Sequence, residues 1–278
     1  MASSSSSGLA AAAATAAAAE KESNRGIWIP CLLDDEKLRV AENEGLLRAG
    51  DWRSGFGETV PHPQAGERVH FGTHLDRGLP FPPSDFLSEV IYHYGVQLYH
   101  LPPNSILEMS AYATLCEGYI GIRPSLTLFR FYFHVRRNSI TAGNPYITDT
   151  ISLSVRRERS YPRISASESV KQWPATFFYH KDFPAPSKAT ALSAFINRAA
   201  TALPSWDEAP PALNDDLILA KRRIEYLIKH KGLKGSDLVQ SWVACRIQPL
   251  QHHGDRLMHS ITASKNDSLC ISPKALKP

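Results

Sequence analysis

The 278-residue chain has only four cysteines (Cys31, Cys116, Cys245 and Cys270), and no two share a C-x-x-C spacing. That scarcity excludes a disulfide framework and fits a reducing compartment. No apolar run approaches the roughly 20 residues that a membrane-spanning helix needs. There is no strong excess of charge either: 31 Lys and Arg stand against 27 Asp and Glu, a formal net charge of +4. This mild basic balance lacks the dense field of a dedicated nucleic-acid binder.

Active-site signatures are missing as well. The sequence contains no G-x-x-x-x-G-K-[ST] loop, no H-E-x-x-H and no G-x-S-x-G. Its eleven histidines, His252-His253 among them, are accompanied by no pair of cysteines at zinc-ligand spacing, and no Cys-Cys-His-Cys knuckle is present. Asp34-Asp35-Glu36 are consecutive, so they cannot converge on one metal as dispersed carboxylates would. The sequence therefore predicts no catalytic residues, no metal and no cofactor. Repeats and sustained heptads are absent too.

What the chain does have is 43% apolar residues, enough for a substantial core. Residues 1–25 are Ser/Ala-rich. Acids are absent before Glu20, as in a transit peptide, but no Arg or Lys appears before Lys21, which argues against one and predicts a disordered leader. A main α+β domain is expected over 26–207, a C-terminal helical hairpin over 208–250, and a flexible tail over 251–278.

Local signals place the elements. A short helix is expected in Leu33 to Leu47, ending at Gly45 or Gly50, with a loop-rich stretch after it and a short strand at Arg68 to Phe71. A second helix runs from the N-cap Ser84 to Gly95, with Phe86, Leu87, Val90, Ile91 and Tyr94 at helical spacing. Ser105 and Glu108 have the form of a capping box opening a central helix from Ser105 to Ile120. It carries one stripe of Ile106, Met109, Ala113, Cys116 and Ile120 and a second of Leu107, Ala111, Leu115 and Ile122; a helix apolar on most sides is central to its domain.

Cys116-Glu117 could be a reactive pair, with His100 or His134 as partner. But Cys116 lies on the apolar stripe, where a thiol behaves as a small hydrophobe, and the adjacent carboxylate opposes a thiolate. The pair reads as core.

Further on, a helix turning extended is expected over Ser125 to Arg137. Strands follow around Ile151 to Val155 and Thr176 to Tyr179, giving a small sheet. A helix from Thr190 to Ala202 and a Pro-rich linker lead to a long helix from the N-cap Asn214 to Gly232. Asp215 and Asp216 lie at its positive end and Lys229, His230 and Lys231 at its negative end. Ser236 opens its partner, which Pro249 ends. The overall expectation is an α+β fold, predominantly helical, with a buried central helix, a small β-sheet and a C-terminal helical hairpin.

Two surfaces are candidates for binding. The arginine pairs Arg136-Arg137, Arg156-Arg157 and Arg222-Arg223, with nearby rings at Phe129, Phe131, Tyr132 and Phe133, could contact nucleic-acid phosphates and bases. The bland alternative has the rings in the core and the arginines solvated, and the low net charge favours it. The amphipathic hairpin could instead meet a protein partner or a second copy of the chain through Leu217, Ile224, Leu227 and Trp242.

The stretch from Glu67 to Phe129 closely resembles the plant "putative gypsy-type transposon" domain. The resemblance rests on Asp76-Arg77-Gly78, Tyr94-Gly95, the helix start at Leu101 to Asn104, and the helix end at Cys116 to Ile122. Trp28-Ile-Pro, "GDWR", Trp173 with Phe177-Phe178-Tyr179, and Arg246 to Gln251 extend it more weakly over residues 26–255. It implies a protein derived from a Ty3/gypsy retroelement, from or near the gag region, with no catalytic residues to carry over. Such proteins often continue into a long coiled coil; under the resemblance its absence implies a truncated copy. The expected role is a non-enzymatic structural or protein-interaction domain, intracellular (nuclear or cytoplasmic) and without a membrane; the alternative is a nucleic-acid-binding module or transposase using the arginine pairs.

Overall fold

In the computed structural model the described residues are 28–44, 46–79, 83–138, 150–165, 170, 172–181, 195–196, 200 and 202–244. The leader, the Thr190–Ala202 helix for the most part, the region around Pro249 and the tail lie outside them.

The fold is α+β and helix-dominated. Helix α1 (Asp35–Asn43) starts where the Asp34 carboxylate accepts the Lys37 amide hydrogen at 2.9 Å. Strands β1 (Trp52–Ser54) and β2 (Glu67–Phe71) follow, then a single turn, α2 (Gly72–Leu75). Helix α3 (Asp85–Tyr94) is capped by Ser84, whose hydroxyl accepts from the Leu87 amide, and closes at Gly95 in the left-handed conformation, as the sequence predicts.

The central helix differs from expectation at both ends. It is α4 (Pro103–Thr114), beginning two residues before Ser105, which lies buried inside the first turn and caps nothing. Pro103 explains the shift: at the first helical position its fixed φ is already helical and its missing N–H leaves no orphan donor. Beyond Thr114 the chain makes a π turn over Leu115–Ile120, which ends at Gly121. The Thr114 hydroxyl donates back to the Ser110 carbonyl at 2.9 Å, a bond that loosens a helix locally. Helix α5 (Leu126–Tyr132) then runs directly into β3 (Phe133–Arg137), which pairs antiparallel with β4 (Ile151–Val155).

The expected small sheet is two. The β3–β4 hairpin stands apart from a three-stranded antiparallel sheet of order β1-β5-β2, whose middle strand β5 (Phe177–Lys181) comes last in sequence. Trp52 faces His180, and Val69 faces Tyr179. Arg53 fastens the sheet: its guanidinium grips the Glu67 carboxylate with two bonds of 2.8 Å and lies 3.6 Å over the Tyr179 ring. The Tyr179 hydroxyl bonds Glu58.

Helices α6 (Asp215–Lys231) and α7 (Gly235–Trp242) form the C-terminal pair. Asn214 caps α6 as expected; α7 begins after Lys234, whose amide donates to Asp237, and not at Ser236. One continuous core runs from Cys31 to Leu238 and draws on both sheets and all the longer helices.

Candidate interaction surface

The sequence assigns contact residues to α6 and α7, and the fold decides which way they point. On α6, Ala220 and Ile224 are buried, and Leu217, Leu227 and Ile228 are partly buried against the core. The helix packs on the π turn. There the Arg223 guanidinium donates to the Ile120 carbonyl at 3.2 Å, placing a cation at the negative end of the central helix.

Helix α7 packs on α4. Leu238 is fully buried, and the Trp242 indole lies against Gly78, where an added Cβ would come within 2.6 Å of it. The Tyr119 hydroxyl lies 2.6 Å from Ser241 Oγ and 3.3 Å from the Asp237 carbonyl, which ties the π turn to α7.

Ile224, at 0% exposure, and Trp242, at 8%, are therefore core, and Leu217 and Leu227 flank them. The expected contact face is turned inward, because the apolar stripe of α6 is covered by the π turn and that of α7 by α4. The outward face of α6 carries a different set: Leu219 (51% exposed), Arg222, Arg223, Tyr226 (54% exposed), Lys229 and His230. These recur at three- and four-residue spacing, so they share one side of the helix. The Tyr226 and His230 ring centroids lie 4.8 Å apart, with the planes tilted by 32°. Sequence reading passed over Tyr226 and Leu219 because it followed apolar periodicity; the signal available was their place opposite Ile224.

The arginines of the three pairs differ in their contacts. Arg156 is structural: its Nε donates to the carbonyls of Arg130 and Phe133, each at 3.2 Å, and Nη2 to that of Glu208 at 3.1 Å. Arg137 donates to the Ala200 carbonyl, and Arg130 pairs with Glu208. Arg136 and Arg157 are exposed, and register places Arg136 opposite Ser152. His134, two residues along on the same face, is held below the ordinary imidazole range by burial and then by Arg136 and Arg156, with Glu158 opposing. The rings of Phe129, Phe131, Tyr132 and Phe133 are all buried, packing on one another and on Tyr112 and Tyr161, so none is offered for stacking.

The reactive side chains of the centre are sealed. Cys116 has no exposed surface, and burial raises its thiol to about 12, so it stays protonated. His74, fully buried, bonds the Leu101 carbonyl at 2.9 Å, and burial lowers it to about 3. His100 accepts the Gln97 amide hydrogen at 3.0 Å. Glu108, which the sequence casts as a capping residue, is instead partly buried on α4, raised by burial to about 7, with one carboxylate oxygen that has no hydrogen-bond partner among the described residues. Among the described residues no three His, Cys, Asp or Glu side chains group as metal ligands would, and no helix is long and apolar enough to cross a membrane.

A helix-dominated α+β domain with an enclosed centre and a polar, ring-bearing outer helix face is the class these observations define. A family model described as "Putative gypsy type transposon" matches residues 69–137, from within β2 to the end of β3 and about a quarter of the chain. The matched span holds α3, the central helix with its π turn, and α5, the region where the sequence resemblance is strongest. It supports descent from a retroelement. No curated protein and no solved structure gives a match.

Proposed function

We propose that the chain is a non-enzymatic structural domain of a plant Ty3/gypsy-type retroelement, gag-region-like, that works inside the cell by binding other molecules through its helical surface. The observation that carries this reading is the enclosure of the matched span. Within it His93 and His134 are partly buried, while Cys116, His70, His74 and His100 are buried to 1% exposure or less. A nucleophile or general base has to reach its substrate, and the latter cannot without opening the core. The exposed side chains are the acids Asp85 and Glu89 with Tyr92 on α3, and on α6 the first-turn acids Asp215 and Asp216 followed by cations and Tyr226.

The test is a strand-cleavage and strand-joining assay. Full-length protein is incubated with end-labelled duplex DNA in Mg²⁺ or Mn²⁺, with circular dichroism confirming the fold. The expected result is unchanged substrate at every protein concentration. Protein-dependent nicking or joining that survives repurification would overturn the proposal and reinstate the transposase reading.

A further inference from the structure

Residues 221–234 are strongly basic. Lys221, Arg222, Arg223, Lys229, Lys231 and Lys234 stand against a single acid, Glu225, which Lys221 already pairs at 2.6 Å. Arg222, Lys229 and Lys231 are exposed and have no ion-pair partner among the described residues. The helix's other acids, Asp215 and Asp216, lie in its first turn, and Tyr226 is about three turns further along. Tyr226 stands outside the hydrophobic core, more than half exposed and braced by His230 one turn on.

A protein partner would be met by an apolar centre with charge at its rim. Here the order is reversed: cations flank an isolated ring pair, and Leu219 is the one exposed aliphatic beside it. Regularly spaced cations complement a phosphate chain, and a ring face accepts any base that is free to leave its neighbours. A base paired in a duplex is not free in that way. We infer that the outer face of α6, centred on Arg222, Tyr226 and Lys229, binds single-stranded nucleic acid, with the cations on successive phosphates and Tyr226 stacked on a base. This rests on the reading of the chain as a binding domain and gives that domain its partner class.

The experiment is fluorescence anisotropy of the full-length chain with a labelled single-stranded 20-mer of mixed sequence and with the matching duplex, titrated from low to physiological salt. The single strand is expected to bind more tightly, with log K falling by about 0.7 per neutralised phosphate per decade of salt. Tyr226→Ala should weaken binding about tenfold with the slope unchanged, and Tyr226→Phe should restore it. Arg222→Ala with Lys229→Ala should flatten the slope by about 1.4, two phosphates' worth. Arg136→Ala with Arg137→Ala should alter neither. All these positions are exposed, and unchanged melting temperatures confirm that each variant folds. Absence of binding at low salt, or equal binding by the α6 variants, would overturn the inference, as would duplex preference that ignores Tyr226. None of those results touches the strand-cleavage assay, so failure here and failure of the wider reading are separable.

Discussion

Glu108 is the residue at which the fold's demands are most visible. It lies on a helix that is apolar on nearly every side, with only the exposed Arg163 opposing the burial that raises its carboxyl to about 7. An acid raised above its ordinary value of 4.5 costs nothing where both states are protonated, below about pH 4.5. Its penalty grows as pH rises toward 7 and is complete above that, so this group makes the protein less stable as pH increases. The ceiling is about 3 kcal/mol. Glu108→Gln should leave the urea midpoint unchanged at pH 4, raise it at pH 8, and remove most of the slope between. Equal midpoints for the two proteins at pH 8 would show that the carboxylate reaches water. The sequence displayed Glu108 as half of a capping box, and only the proline-driven start at Pro103 reveals that Ser105 is an interior residue.

At the scale of elements, most of what the sequence made legible was local. Ser84 with Gly95 and Asn214 with Gly232 bracket helices because a cap is a contact over three or four residues. The passage from α5 into β3 was legible because the period changes at Phe133. Illegible were the pairings across the chain: β5 between β1 and β2, and the indole of Trp242 on Gly78, 164 positions earlier in sequence. Nothing in the amphipathic pattern of the hairpin says which face finds a partner inside the molecule, so its inner face read as an outer one.

The Gly78 contact can be measured. Its φ of +94° is one that a side chain resists, and a Cβ would sit 2.6 Å from both Trp242 and Ser110 Oγ. Gly78→Ala should cost about 2 kcal/mol or more, and Trp242→Ala about 3–5 kcal/mol from the void it leaves. The double variant should cost less than the sum by about 1 kcal/mol, since the new methyl enters space the indole has vacated. Strict additivity would mean that the two elements do not bear on each other.

For the whole molecule, the continuity of the core from Cys31 to Leu238 makes a claim about cooperativity. Residues 208–250 carry Ile224 and Leu238 into the same cluster as Phe71 and Phe177, so the hairpin should not melt by itself. Calorimetry should give one transition with equal calorimetric and van't Hoff enthalpies; two transitions would restore the hairpin as an independent domain.

The strand order has a last consequence, for how the protein comes into being. Trp52–Ser54 and Glu67–Phe71 are joined only through Phe177–Lys181, so a nascent chain carries both edges bare until more than a hundred further residues have been translated. A reading frame interrupted between codons 156 and 176 would lose α6 and α7 together with the middle strand, and would leave two sticky, unmatched strands in search of a mate.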